Sequence, residues 1–284
     1  FEVMRSQGFS PVIPKMVRER LKRQREKYGI NPQEKGPKVT LDDVAVSPDT
    51  MIQLQALVNF AKKKQNQNWS LLLHGLPGVG KNFIVDAICG TLKRPLITID
   101  VSQVLGKYVG DNERNMTKYF IRTQEVNGIL HIEECDSFLK ARTSDNHSWE
   151  NTAVNCLLAL LEKKGVSVIL STNLIDSVDR ALLRRVDHII NLPLPGVIER
   201  KKIWANELKK WKFKLENIDL DTLAKIEICG GLIAVACRRA YMLKVSDVLK
   251  NTSFDNAFFT NLAIEEQKKM KPEKAEKRII GFGR

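Results

Sequence analysis

The stretch Ser70-Leu71-Leu72-Leu73-His74-Gly75-Leu76-Pro77-Gly78-Val79-Gly80-Lys81-Asn82 narrows the possible folds more than any other part of the chain. Leu71 to His74 has the length and apolar composition of a buried strand. Gly75, Gly78 and Gly80 then let the backbone curl so that successive N–H groups converge on one anion, and Lys81 opens a helical pattern. The helix adds its N-terminal partial charge to the full charge of the lysine. The stretch reads as a phosphate-binding loop, with Gly75, Pro77, Gly78, Val79, Gly80, Lys81, Asn82 and Phe83 as nucleotide-binding residues. It fits G-x-x-x-x-G-K-[ST] except at the last position, where Asn82 stands in place of the hydroxyl that touches Mg²⁺.

Around this loop, strand and helix patterns alternate. Strands are expected at Leu71–His74, Leu96–Val101, Gly128–Glu133, Val166–Thr172 and Asp187–Leu192, with helices at Phe83–Leu92, Glu113–Gln124 and Asn151–Leu161 between them. A further helix runs from the Ser47-Pro48-Asp49 start to Lys64. Such alternation predicts an α/β fold, a parallel sheet flanked by helices. After Pro193-Leu194-Pro195-Gly196 only helical patterns follow, at Ile198–Trp211, Leu220–Ile226, Leu232–Leu249 and Phe254–Met270, which predicts a small all-helical domain. The expected organisation is a basic helical segment and linker at 1–40, the α/β domain at 41–194, the helical domain at 195–270 and a basic tail at 271–284.

Composition bounds the partners. The net charge is +13, but residues 1–40 hold ten Lys/Arg against four Asp/Glu and residues 265–284 hold seven against four, so nine of the thirteen charges lie on the two ends. That distribution describes basic arms on an ordinary core; a nucleic-acid partner is the less favoured reading. No run approaches a membrane span, so no membrane partner is expected. The five cysteines, Cys89, Cys135, Cys156, Cys229 and Cys237, lack metal-ligand spacing and lie mostly in apolar segments, as buried thiols in a reducing cytoplasm would.

Further polar residues fall where an ATP-hydrolysing site needs them. Leu130-His131-Ile132-Glu133-Glu134 is an apolar strand ending in two carboxylates, which strand alternation sends in different directions. Glu133 is the metal-side candidate and Glu134 the candidate general base. Asn173 ends another strand, and since ligands sit at the carboxyl ends of strands in an open parallel sheet, it suits orientation of a water or a phosphate oxygen. Arg184 and Arg185 are suited either to plain surface charge or to stabilising a γ-phosphate.

The order of these parts resembles an AAA+ ATPase of the AAA clade, over roughly Leu41 to Met270. The resemblance implies a P-loop NTPase sheet followed by a helical lid, ATP and Mg²⁺ as cofactors, and a homo-oligomer, usually a hexameric ring. Leu130–Glu134 is similar to the Walker B strand, Asn173 to the sensor-1 asparagine, and Arg184 and Arg185 to the finger arginines that reach a neighbouring subunit's ATP. Leu41-Asp42-Asp43-Val44-Ala45 is similar to the segment whose backbone holds the adenine, with Val46 where the family has glycine, and Gly231 falls at the start of the lid helix. Gly106-Lys107-Tyr108-Val109-Gly110 resembles the pore loop; Lys107, Tyr108 and Val109 would face a protein or peptide substrate. The function so implied is a ring motor that remodels, unfolds or disassembles proteins.

Asn82 and Glu133 replace the usual Thr/Ser and Asp, and both stand on the Mg²⁺ side. Either the longer Glu133 and the Asn82 carboxamide together recentre the ion, or the chain hydrolyses slowly or not at all. Two rival functions stay open, a nucleic-acid motor or loader and a non-hydrolysing, nucleotide-gated ring scaffold.

Overall fold

The computed structural model describes residues 36–64, 67–100, 111–135, 157–159, 161–162, 165–216, 218–246 and 253–269. Residues 1–35 of the expected basic segment and linker, most of the expected helix at Asn151–Leu161, the substrate residues Lys107, Tyr108 and Val109, Cys156 and the tail at 271–284 lie outside the described residues.

Five strands, β1 (Ser70–His74), β2 (Leu96–Asp100), β3 (Ile129–Glu133), β4 (Ser167–Thr172) and β5 (His188–Asn191), form one sheet in the order β2-β3-β4-β1-β5. The β1–β4, β2–β3 and β3–β4 pairs are all parallel. Every residue of β4 is buried, as befits a central strand covered on both faces, which is why it reads as a continuous apolar run. The register pairs His74 with Thr172 and Asp100 with Glu133, so β1, β2, β3 and β4 end together at one edge. The far end of β1 is tied to the outer strand: the Ser70 N–H and hydroxyl both donate to Asp187 Oδ2 at 2.9 Å, and the Asp187 N–H returns a bond to Ser70 Oγ at 3.0 Å.

The helices before and within this part are α1 (Pro48–Lys63), α2 (Lys81–Leu92), α3 (Asp111–Glu125) and the single turn α4 (Arg180–Leu183). Ser47 caps α1, its Oγ accepting from the Thr50 N–H at 3.4 Å. Leu72, Ile97, Ile99, Leu130, Ile132, Val168 and Leu170 pack with Met116 and Phe120 of α3 in one buried cluster. Each such side chain contributes about 1.5–3 kcal/mol by leaving water.

Helices α5 (Val197–Lys210), α6 (Leu220–Lys225), α7 (Gly230–Val245) and α8 (Asn256–Lys268) follow. Their core is Trp204, Leu208, Leu223, Ile233, Ala236, Ala240, Phe259 and neighbours, with Phe213 edge-on to Phe259 at a ring separation of 5.1 Å. The helix bounds differ from the sequence expectation at their caps. The last helix starts at Asn256, two residues beyond the expected Phe254, because the Asp255 side chain accepts from the Phe258 N–H and fixes the first turn. Helix α7 starts two residues early and stops at Val245, where Ser246 closes it.

By contacts the chain forms two compact units. Among the described residues, one comprises those up to Leu41, Gln55–His74 and Ile84–Ile190; the other comprises Asp42–Leu54, Gly75–Phe83 and those from Asn191 onward. The first holds the sheet, and the second holds the helical bundle together with the phosphate-loop stretch and the segment before α1.

Candidate nucleotide-binding site

Strand β1 ends at His74, and the backbone at once enters conformations that L side chains rarely adopt: φ is +154° at Gly75, +80° at Gly78 and +99° at Gly80. Gly80 ends the loop and releases the chain into α2 at Lys81, two residues before the expected start at Phe83. A Cβ on Gly80 would meet no heavy atom within 4 Å, so the space beside the backbone there is open. Lys81 Nζ donates to the carbonyl oxygens of Gly75 at 2.8 Å and Leu76 at 3.1 Å, which folds the cation back over the loop. Asn82 and Phe83 are exposed on the first turn of α2, as are Pro77 and Gly78 in the loop, while Val79 is half-buried.

The loop is braced from the helical bundle. The Gly231 N–H, in the first turn of α7, donates to Gly78 O at 2.7 Å. A Cβ on Gly78 would lie 2.6 Å from Cys229 Sγ, and one on Gly231 would lie 3.0 Å from Gly78 Cα. Glycines are needed at both places because the two backbones meet without a spacer. Within the same unit, Val44 is buried, Ala45 is half-buried, and the carbonyls of Asp42 and Val44 accept hydrogen bonds from Lys202 at 2.9 and 2.7 Å. The structure thus gathers the phosphate-loop residues, Val44, Ala45 and Gly231 in one compact unit.

The strand-end residues belong to the other unit. Glu133, half-buried, closes β3, and Glu134 follows it exposed with φ +47°, a left-handed conformation in a non-glycine residue. Such strain, of order 1–3 kcal/mol, persists where the surrounding structure enforces it. At the end of β4, Thr172 Oγ1 accepts from the Leu174 N–H at 2.9 Å, a turn that brackets half-buried Asn173. The short helix α4, capped by Asp179 Oδ1 accepting from the Ala181 N–H at 2.8 Å, presents the two arginines differently. Arg185 is engaged: Nε donates to Glu162 Oε1 at 2.6 Å and another guanidinium nitrogen donates to Ala181 O at 3.1 Å. Arg184 is exposed, and its guanidinium makes no hydrogen bond or ion pair among the described residues.

The arrangement also contains residues that no sequence motif marks. His131 is buried in the middle of β3, where burial pushes its pKa down to about 4. Its Nε2 lies 3.1 Å from Ser171 Oγ on β4, and its Nδ1 lies 3.7 Å from Glu133 Oε1. A neutral ring carrying its proton on Nδ1 turns an N–H toward the carboxylate and accepts from Ser171. Lys202 and Cys229 are likewise invisible to local patterns, since their contacts on Asp42, Val44 and Gly78 span more than a hundred residues.

For Mg²⁺, the donor chemistry of Asn82 and Glu133 fits: both offer oxygen, the hard donor this ion takes. Among the described residues no group of three or more His, Cys, Asp or Glu could hold a metal. Mg²⁺ at phosphates takes few protein ligands and several waters, so such a cluster is not required. Among the described residues no helix is long and apolar enough to cross a membrane.

Comparison with known proteins agrees with this geometry. The family "ATPase family associated with various cellular activities (AAA)" matches residues 71–194. Relatives include an ATP-dependent zinc metalloprotease, FtsH 2, of Thermoanaerobacter sp., 28% identical over 231 residues that cover 76% of this chain and 44% of the relative. A proteasome-activating nucleotidase of Archaeoglobus fulgidus is 28% identical over 240 residues, covering 78% of this chain and 60% of its own length. The chain therefore spans about half the length of the relatives it matches. The family match runs from the phosphate-loop strand through both carboxylates to the end of the sheet, so residues 71–194 are similar to the AAA ATPase family.

Proposed function

We propose that this chain binds and hydrolyses ATP as a subunit of a homo-oligomeric ring, a hexamer by family resemblance, and uses the energy to remodel or unfold a protein substrate. The observation that carries the reading is the Gly75–Lys81 loop, which closes a buried parallel strand and opens α2 with three glycines in left-handed backbone. Its N–H groups and the N-terminus of α2 cradle phosphate oxygens, and Lys81 exchanges its two carbonyl partners for the β- and γ-phosphates. Asn82 and Glu133 would hold Mg²⁺, which when bound neutralises charge on the phosphates. Glu134 takes the proton of the attacking water, and Asn173 orients that water. Arg184 is the better finger candidate, because Arg185 is already held by Glu162 and the Ala181 carbonyl.

The relatives' names include a protease and a proteasome activator, which favours a protein substrate over nucleic acid. Tyr108, between Lys107 and Val109, is the residue proposed to grip it. The test is Mg²⁺-dependent ATP turnover against protein concentration, with Lys81→Ala as blank and Glu134→Gln beside it. Turnover should rise cooperatively. Glu134→Gln should keep nucleotide binding while losing about 10²–10⁴-fold in rate. ATP-dependent assembly without turnover in the unmodified chain would leave the scaffold reading, to which Asn82 and Glu133 lend their chemistry.

A further inference from the structure

Helix α5 reaches back across the sequence to three consecutive carbonyl groups. Lys202 Nζ donates to Asp42 O and Val44 O at 2.9 and 2.7 Å, and Asn206 Nδ2 donates to Asp43 O at 3.1 Å. Lys202 and Asn206 stand four apart, on one face of the helix. Leu41–Asp43 forms a single 3-10 turn, too short to satisfy its own terminal carbonyls. An ammonium shared between two of them, with an amide on the third, fixes the turn and the residues that follow. Charge-assisted bonds of this kind are about twice as strong as neutral ones. Lys202 and Asn206 are themselves exposed, and their polar ends turn back onto these carbonyls.

We infer that Lys202 and Asn206 are positioning residues for recognition of the nucleotide base: they hold the Asp42–Val44 backbone so that Val44 and Ala45 meet the adenine in one fixed geometry. The inference rests on the proposal that Val44 and Ala45 hold the base. The phosphate loop lies outside this clamp, since its braces come from Gly231 and Cys229. Base affinity and phosphate affinity are therefore separable by mutation. Because the clamp sits on α5, occupancy of the base site is coupled to the position of that helix, and the coupling is reciprocal.

The experiment compares the affinities of the full chain for a non-hydrolysable ATP analogue and for inorganic tripolyphosphate, which has the phosphates without the base. Lys202→Met, which keeps the apolar stem and removes the donors, should weaken the ATP analogue about tenfold or more and change tripolyphosphate less than about twofold. Lys202→Arg should restore most of the loss, and Asn206→Leu should show the same selectivity with a smaller effect. Unchanged affinity of Lys202→Met for the analogue overturns the inference, and so does a proportional loss of both ligands, which marks a general structural role. If the unmodified chain binds tripolyphosphate as tightly as the analogue, the base-site assignment fails first, and the inference falls with it.

Discussion

His131 places an ionisable ring where the sheet has no room for charge. In the folded protein its pKa is held at about 4 by burial, against 6.5 in an unperturbed chain. Between those values the unfolded chain takes up a proton that the folded chain refuses, so stability falls as the pH drops through that window. The loss reaches about 3 kcal/mol near pH 4 from this one residue. Urea midpoints measured from pH 7 to pH 4 should show this decline, and His131→Leu should flatten it; an equally steep decline in that variant would assign it elsewhere. The sequence shows His131 only as one polar residue in an apolar strand, because Ser171 is forty residues away and strand pairing brings them together. Lys202 was hidden for a similar reason. Glu199-Arg200-Lys201-Lys202 reads as a solvated charged run, yet Arg200 is buried on the carbonyls of Ala224 and Pro195, and Lys202 is spent on Asp42 and Val44.

Helix α2 shows how an element departs from its propensities. Gly90 lies inside it, where alanine would ordinarily add about 1 kcal/mol of stability. A Cβ there would fall 1.9 Å from Val39 O and 2.7 Å from Pro37 O, so the linker backbone crosses directly on the helix. Gly90→Ala should therefore destabilise the protein by about 1–3 kcal/mol despite the better helix former; a raised denaturation midpoint would show that the linker yields instead. The strands were legible to within a residue or two at each end, because buried parallel strands read as short apolar runs bounded by turn residues. Helix ends were less legible, being set by caps such as Asp255 and by the glycines at Gly80 and Gly230. The phosphate loop was legible because its glycines and lysine are consecutive in the chain. The braces on it from Gly231 and Cys229 were not, since contacts at long separation leave no local pattern.

At the scale of the whole molecule, the two arginines that follow α4 make separable predictions. Arg184→Ala should reduce turnover by about 10³-fold or more while leaving nucleotide affinity within about twofold. Arg185→Ala should mainly break the exposed pair with Glu162, costing at most about 1 kcal/mol. Mixing inactive Arg184→Ala subunits with inactive Glu134→Gln subunits should regenerate turnover, because each supplies what its neighbour lacks. No recovery on mixing would mean that the arginine does not act between subunits.

The linker crossing at Gly90 also has a mechanical meaning. The Leu41 N–H donates to Thr91 Oγ1 at 2.9 Å, one residue beyond the point where the Val39 carbonyl bears on the helix. Tension applied to the chain ahead of Gly36 is therefore delivered at the carboxyl-terminal end of the helix that Lys81 begins. The linker is seated like a rope over a cleat, and a pull on it bears on Gly90 and Thr91 of that helix and on the Arg94 backbone just beyond it.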